Sequence, residues 1–210
     1  MRKILLVLLY FVSYHVFSQD DAKLDSIDKT NPIIFVESYG GIGGGSTFNF
    51  FGGFGLNYQF GKTDLITFRT AAIIGTSREY AALSPTLILP FLVQREVQYE
   101  YGFLYGKRWT YGNYSLSGSA GIAHFNRFYY ENIQDEEKLR ETYFGVPFEF
   151  NVKFFKARKQ RFRAYYGLIP IGKKKVSFGR SVGFKLTGNI AKHSNLGIGI
   201  NYGFGWHKKY

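Results

Sequence analysis

The stretch Leu196-Gly197-Ile198-Gly199-Ile200-Asn201-Tyr202-Gly203-Phe204-Gly205-Trp206 decides the fold class. Its large apolar residues fall on every second position, and the positions between them hold four glycines and an asparagine. Side chains of an extended chain alternate between two faces, so this period describes a strand with one apolar face and one face of small residues. Just upstream, Val182, Phe184, Leu186 and Ile190 oppose Ser181, Gly183, Lys185, Thr187 and Asn189. The short Ala191–Asn195 connection between the two runs predicts a hairpin.

The same rule extends toward the N-terminus. Phe48, Phe50, Phe54, Leu56, Tyr58 and Phe60 oppose Asn49, Gly53, Gly55, Asn57 and Gln59, with Phe51 as the exception. Val97, Tyr99, Tyr101, Phe103 and Tyr105 oppose Glu96, Gln98, Glu100, Gly102 and Gly106. Phe144, Val146, Phe148, Phe150, Val152 and Phe154 oppose Gly145, Glu149, Asn151 and Lys153. Leu65–Thr76 and Tyr114–Phe128 follow the alternation less strictly, and Ile33–Gly44 is interrupted by glycine. Eight segments of about ten residues predict an all-β, transmembrane, antiparallel up-and-down barrel. Lys156–Arg180 is too long for a tight turn and carries the apolar Tyr165–Ile171 run; as a hairpin of its own it gives a ten-stranded alternative.

The small face decides which way the apolar face points. A soluble barrel needs a water-facing set rich in Lys and Glu, whereas here that set is mainly Gly, Ser, Asn and Thr, which fits a narrow interior. The apolar face is therefore expected outside, against lipid. Glu37, Arg69, Glu96, Glu100, Glu149, Lys153 and Lys185 are then expected to share the lumen as a charge network. Eight strands leave just enough room for side chains to fill the interior, so a salt-bridged plug is the leading reading and a narrow ion path the alternative.

Export is read from the N-terminus. Arg2 and Lys3 precede nine apolar residues, Ile4 to Val12, and Val16-Phe17-Ser18 offers a cleavage site. That run is far shorter than the ~20 residues of a spanning helix. The expected organisation is a signal peptide over 1–18, a flexible Asp-rich leader over 19–31 and a barrel domain over 32–210. With 22 Phe, 17 Tyr and 25 Gly the composition favours pleated surfaces and tight turns. There is no cysteine, which excludes disulfides, so stability in an exported chain is expected from the closed hydrogen-bonded barrel.

On the alternating strands, the signal peptide and the aromatic-rich final strand ending near Trp206 and Tyr210, the chain resembles the small outer-membrane β-barrel proteins of Gram-negative bacteria. That group includes OmpA-type membrane domains and OmpX-like barrels. The resemblance covers Ile33 to the C-terminus and specifies a class rather than an activity. It implies both termini in the periplasm, short periplasmic turns, longer surface loops, and insertion by the barrel-assembly machinery into a membrane of phospholipid and lipopolysaccharide. The chain departs from the class in having its longest connection, Lys156–Arg180, on the periplasmic side.

Net charge is +12, and no acidic residue follows Glu149. Lys156, Arg158, Lys159, Arg161, Arg163, Lys173, Lys174 and Lys175 are expected to contact anionic lipid head groups, or else a periplasmic or cell-surface protein partner. Nucleic acid is not expected as a partner of an exported chain. Leu87, Ile88, Leu89, Phe91 and Leu92 flank Pro90 in an expected surface loop, Ser77–Leu92, that also holds Pro85. Glu131–Glu141 is an acidic loop without EF-hand spacing, so no metal or other cofactor is expected. His193-Ser194 loosely resembles the His-x-Ser-Asn run of barrel lipid A deacylases but lacks the intervening residue. Neighbouring side chains in extended chain diverge, so no catalytic residues are expected there. The leading function is a non-enzymatic barrel acting in surface interaction or envelope integrity. A narrow passive pore and a lipid-modifying enzyme are the alternatives.

Overall fold

The computed structural model describes residues 31–84, 87–129, 139–164 and 169–209, with the backbone alone over 80–90 and 160–174. The segments expected as signal peptide, 1–18, and leader, 19–31, lie outside the described residues except for Asn31.

Ten strands form: β1 (Ile33–Gly44), β2 (Phe48–Phe60), β3 (Asp64–Ser84), β4 (Leu87–Tyr111), β5 (Tyr114–Tyr129), β6 (Leu139–Phe155), β7 (Gln160–Ala164), β8 (Ile169–Val176), β9 (Gly179–Ile190) and β10 (Asn195–Gly205). Eight of them close a barrel in the order β1-β10-β9-β6-β5-β4-β3-β2, every neighbour antiparallel. The strands β7 and β8 form a separate two-stranded sheet. The expected eight-stranded barrel is the architecture observed. The 156–180 segment does make its own hairpin, but β6 pairs directly with β9, leaving no gap in the wall for two further staves.

Alternation sets the two faces. Phe54, Phe144, Ile190, Ile200 and Ile122 point outward and are exposed, as are most of the other large apolar residues of the periodic runs. Inward positions are buried and mostly polar: Asn57, Thr67, Ser115, Asn151, Thr187 and Asn201 are among them. This inverts the usual distribution of a water-soluble domain. Phe51 breaks the pattern of its strand because it sits on the inward face, packed with Tyr39 and Ile73. Gly197 makes room for it, since a Cβ there would lie 2.5 Å from the Phe51 ring. Gly61, at φ 57°, turns β2 into β3, a backbone region that L side chains rarely adopt.

Two expectations are corrected. The Ser77–Leu92 loop is largely strand: β3 runs on to Ser84 and β4 starts at Leu87, so Leu87, Ile88, Leu89, Phe91 and Leu92 all lie on β4. The prolines misled the reading. Pro90 faces Tyr80 in a ribbon where β4 pairs with β3 alone, because pairing of β4 with β5 begins only at Glu96. A strand with one open edge tolerates a residue without an N–H. The acidic Glu131–Glu141 loop ends sooner than expected, β6 beginning at Leu139 and taking Glu141 into the wall. Glu131, Asp135, Glu136 and Glu137 lie outside the described residues. Pro147 also stands inside β6, and the β5–β6 pairing lapses opposite it, at Gly121 and Ile122.

The barrel has two unlike ends. The start of β1, the end of β10, the turns at 61–63 and 112–113, and the end of β6 with residues 156–159 and 177–178 share one end. The β3–β4 ribbon, the connections 45–47 and 191–194, the end of β5 and the start of β6 share the other.

Candidate functional site

The lumen is the candidate site. Glu37 on β1, Arg69 on β3, Glu100 on β4, Glu149 and Lys153 on β6 and Lys185 on β9 are all at most 2% exposed. The strand phase places them there, since each shares parity with the small residues of its own strand. Lys185 Nζ lies 2.8 Å from Glu37 Oε1 and 2.7 Å from Glu149 Oε2. Lys153 pairs with the other oxygen of Glu37. Arg69 closes the chain, with Nε 2.6 Å from Glu100 and Nη1 3.2 Å from Glu149. Asn151 donates to Glu149 Oε1 at 3.0 Å.

Three carboxylates thus meet three cations. A buried charge needs a partner and further hydrogen bonds to offset its lost hydration, and this group supplies both. It also crosses the lumen. In the barrel order β3 and β9 stand opposite each other, yet Arg69 Nη1 donates to Thr187 Oγ1 on β9 at 2.7 Å. The Arg69 guanidinium thus reaches from one wall of the barrel to the other. Lys185 Nζ also sits 4.3 Å from the Tyr39 ring centroid, joining the charges to the Tyr39–Phe51–Ile73 cluster.

Glu96 was expected in this network and is found elsewhere. Together with Arg127, Glu141, His193 and Lys192 it lines the barrel end that carries the ribbon. Arg127 Nε lies 2.6 Å from Glu96 Oε2 and its Nη1 3.5 Å from Glu141 Oε2. His193 Nε2 lies 3.0 Å from the same Glu141 oxygen, and Lys192 pairs with the other. These contacts hold the Glu141 carboxyl down at about 2, the Lys192 and His193 hydrogen bonds being the main cause. Glu96 and Glu100 share the inward face of β4, but the four residue steps between them amount to about 13 Å along the strand, which leaves Glu96 at the rim.

Two lumen arginines were not anticipated. Arg108 donates to Gln59 Oε1 at 2.7 Å and to the His207 carbonyl at 2.8 Å, with its guanidinium over the rings of Phe35 and Phe155. Arg127 is the centre of the rim cluster just described. Both continue the inward parity of their strands, Arg108 two residues past Gly106 and Arg127 two past Phe125, so extending each period by one step would have found them.

Of the residues expected at lipid head groups, Lys156, Arg158, Lys159 and Lys175 are exposed, while the side chains of Arg161, Arg163, Lys173 and Lys174 lie outside the described set. Phe91 and Leu92 are exposed on the ribbon, and the side chains of Leu87, Ile88 and Leu89 lie outside the described set. Ser194 spends its hydroxyl locally, donating to the Ala191 carbonyl at 3.0 Å and accepting from the Ala191 N–H at 3.2 Å. His193 is engaged by Glu141 and Arg127 instead of by Ser194. Among the described residues no three His, Asp or Glu side chains converge as a metal site requires.

No family model and no curated protein matches the sequence. Among solved structures the chain is similar to the N-terminal β-barrel domain of Pseudomonas aeruginosa OprF, at 11% identity and TM-score 0.45, over 83% of this chain and 98% of that one. It is similar to Neisserial surface protein A at 8% identity and TM-score 0.49, over 82% and 95% of the two chains. It is also similar to Ail of Yersinia pestis, solved with the heparin analogue sucrose octasulfate, at 10% identity and TM-score 0.43, over 86% and 99%.

Proposed function

We propose that the chain is an integral outer-membrane β-barrel, non-enzymatic and non-conducting, whose role is surface interaction or envelope integrity. The observation that carries this reading is the pairing of an apolar exterior with a lumen crossed by a neutral, fully buried ion network. On β2 the outward apolar residues from Phe50 to Phe60 span ten residue steps. At ~3.3 Å per residue and a tilt near ~40° they span about 25 Å, the height of the apolar band of a membrane barrel. Inside that band the wall is closed by continuous antiparallel ladders apart from the lapse opposite Pro147, the backbone pairing that lipid requires.

Ion flow through the lumen would have to displace Arg69 from Glu100, Glu149 and Thr187 together. Planar-bilayer recording tests the reading directly. The purified mature chain is expected to give no stepwise conductance at moderate voltage, and regular openings would establish the narrow pore instead. A lipid-modifying activity would be revealed by a difference in lipid A mass spectra between cells with and without the protein. The hydrogen bonding of Ser194 within its own turn favours identical spectra.

A further inference from the structure

Charge is distributed unequally between the two barrel ends. At the end holding the strand termini, Lys62, Lys156, Arg158, Lys159, Lys175 and Lys209 are exposed. Among the described residues the only acid at that end is Asp64, and Lys107 Nζ, at 2.6 Å, together with the Tyr105 hydroxyl, at 2.5 Å, already occupies it. The ribbon end, by contrast, mixes both signs: Glu79, Glu96 and Glu141 pair there with Arg95, Arg127 and Lys192.

The cationic end is continuous with an aromatic girdle. Tyr58, Phe60, Trp109, Tyr111, Tyr114 and Phe154 are exposed on the outward face of the last turn of the wall. Lys156 follows Phe154 by two positions, so the cations begin where the girdle stops. The Arg180 guanidinium lies 5.6 Å from the Phe204 ring centroid, and Phe178 meets Trp206 edge-on at 5.4 Å. The root of the β7–β8 hairpin is thereby fixed against the girdle. Aromatic girdles settle at the boundary between hydrocarbon and head groups, and cations placed just beyond one stand at head-group depth.

We propose that this end of the barrel binds the anionic head groups of phospholipids in the leaflet on its side, the basic hairpin and neighbouring turns forming a phosphate-binding rim. The proposal rests on the membrane reading above and adds a lipid preference to it. The occupant is a lipid and not a soluble acidic chain because the cations adjoin an apolar surface that lipid already covers.

The test uses the mature chain in vesicles of phosphatidylcholine with and without phosphatidylglycerol. Trp109→Phe leaves Trp206 as the one tryptophan. Quenching of Trp206 by brominated phosphatidylglycerol against brominated phosphatidylcholine then gives the relative association of the two lipids at the rim. Each well-placed cation contributes ~1 kcal/mol, about fivefold, so a preference of about fivefold or more is expected. The combined Lys156→Gln, Arg158→Gln, Lys159→Gln and Lys175→Gln variant should bring the ratio close to unity, as should molar salt. A folded, inserted wild-type barrel with a ratio near unity would overturn the proposal and leave the membrane reading intact. So would a preference that appears only once residues 19–30 are deleted, because the acidic leader would then be the occupant. A chain that remains soluble without detergent would overturn both.

Discussion

Replacing Arg69 by methionine probes the plug at its most connected point. Arg69 is 1% exposed and holds Glu100 at 2.6 Å, Glu149 at 3.2 Å and Thr187 at 2.7 Å. Its loss affects the two carboxylates differently. Glu149 keeps Lys185 at 2.7 Å and the Asn151 amide at 3.0 Å. Glu100 has no second cation within ion-pair distance among the described residues, so it becomes a buried charge without a counter-charge. Breaking such a pair from one side costs about 3–5 kcal/mol, a large share of an ordinary domain's stability. Removing the stranded charge as well, in Arg69→Met/Glu100→Gln, should recover most of that loss, leaving a deficit of about 1–2 kcal/mol from the hydrogen bonds given up. Urea unfolding in phosphatidylcholine vesicles, followed by tryptophan emission and by the heat-dependent electrophoretic mobility of the folded barrel, measures all four corners of the cycle. The reasoning fails if Arg69→Met costs less than about 1 kcal/mol, or if the two substitutions simply add.

Other consequences concern the faces and the rim. Phe54 is 70% exposed at the middle of β2, so Phe54→Arg should cost about 2–4 kcal/mol in vesicles, whereas the same change at an exposed ribbon residue such as Leu92 should cost well under 1 kcal/mol. Gly197→Ala should destabilise by driving a methyl to 2.5 Å from the Phe51 ring, and Phe51→Ala in the same chain should relieve that part of the loss, which the same unfolding assay would report. At the rim, carbon-detected titration of Glu141 in micelles should give a midpoint of about 2, and Lys192→Met should raise it toward the ordinary carboxylate range. Since the folded-state value lies below the unfolded one, the rim pairs contribute fully above about pH 5 and are lost as pH falls through about 2. A Glu141 midpoint unchanged by Lys192→Met would remove Lys192 from the account.

Most of the wall and half of the site can be read from the chain itself. The alternation at Leu196–Trp206 reports both the strand and its two faces, because side-chain direction in a strand is a local property of period two. The same parity puts Glu37, Arg69, Glu100, Glu149, Lys153 and Lys185 on the inner face, and extended one step further it would have added Arg108 and Arg127. The long β3–β4 ribbon was hidden because Pro85 and Pro90 punctuate it like a loop, and only the open edge of β4 before Glu96 makes a proline harmless there.

What parity cannot convey is which inward residue meets which. That depends on closure, which joins β1 to β10 across nearly the whole chain, and on the stagger that tilts each strand against the next. Closure brings Arg69 of β3 to Thr187 of β9, while the pairing of β4 with β5 sets Glu96, four residues along β4 from Glu100, beside Arg127 at the rim. The basic 156–180 segment shows the same division. Its length and charge are plain in the sequence, but its exclusion from the wall follows from β6 pairing with β9, a contact that the intervening residues do not encode. The sequence by itself determined an exterior for lipid and an interior of small and charged groups. The tertiary structure alone decided that those charges cancel one another across the lumen, because a lateral pairing between distant strands exists only once the sheet has closed.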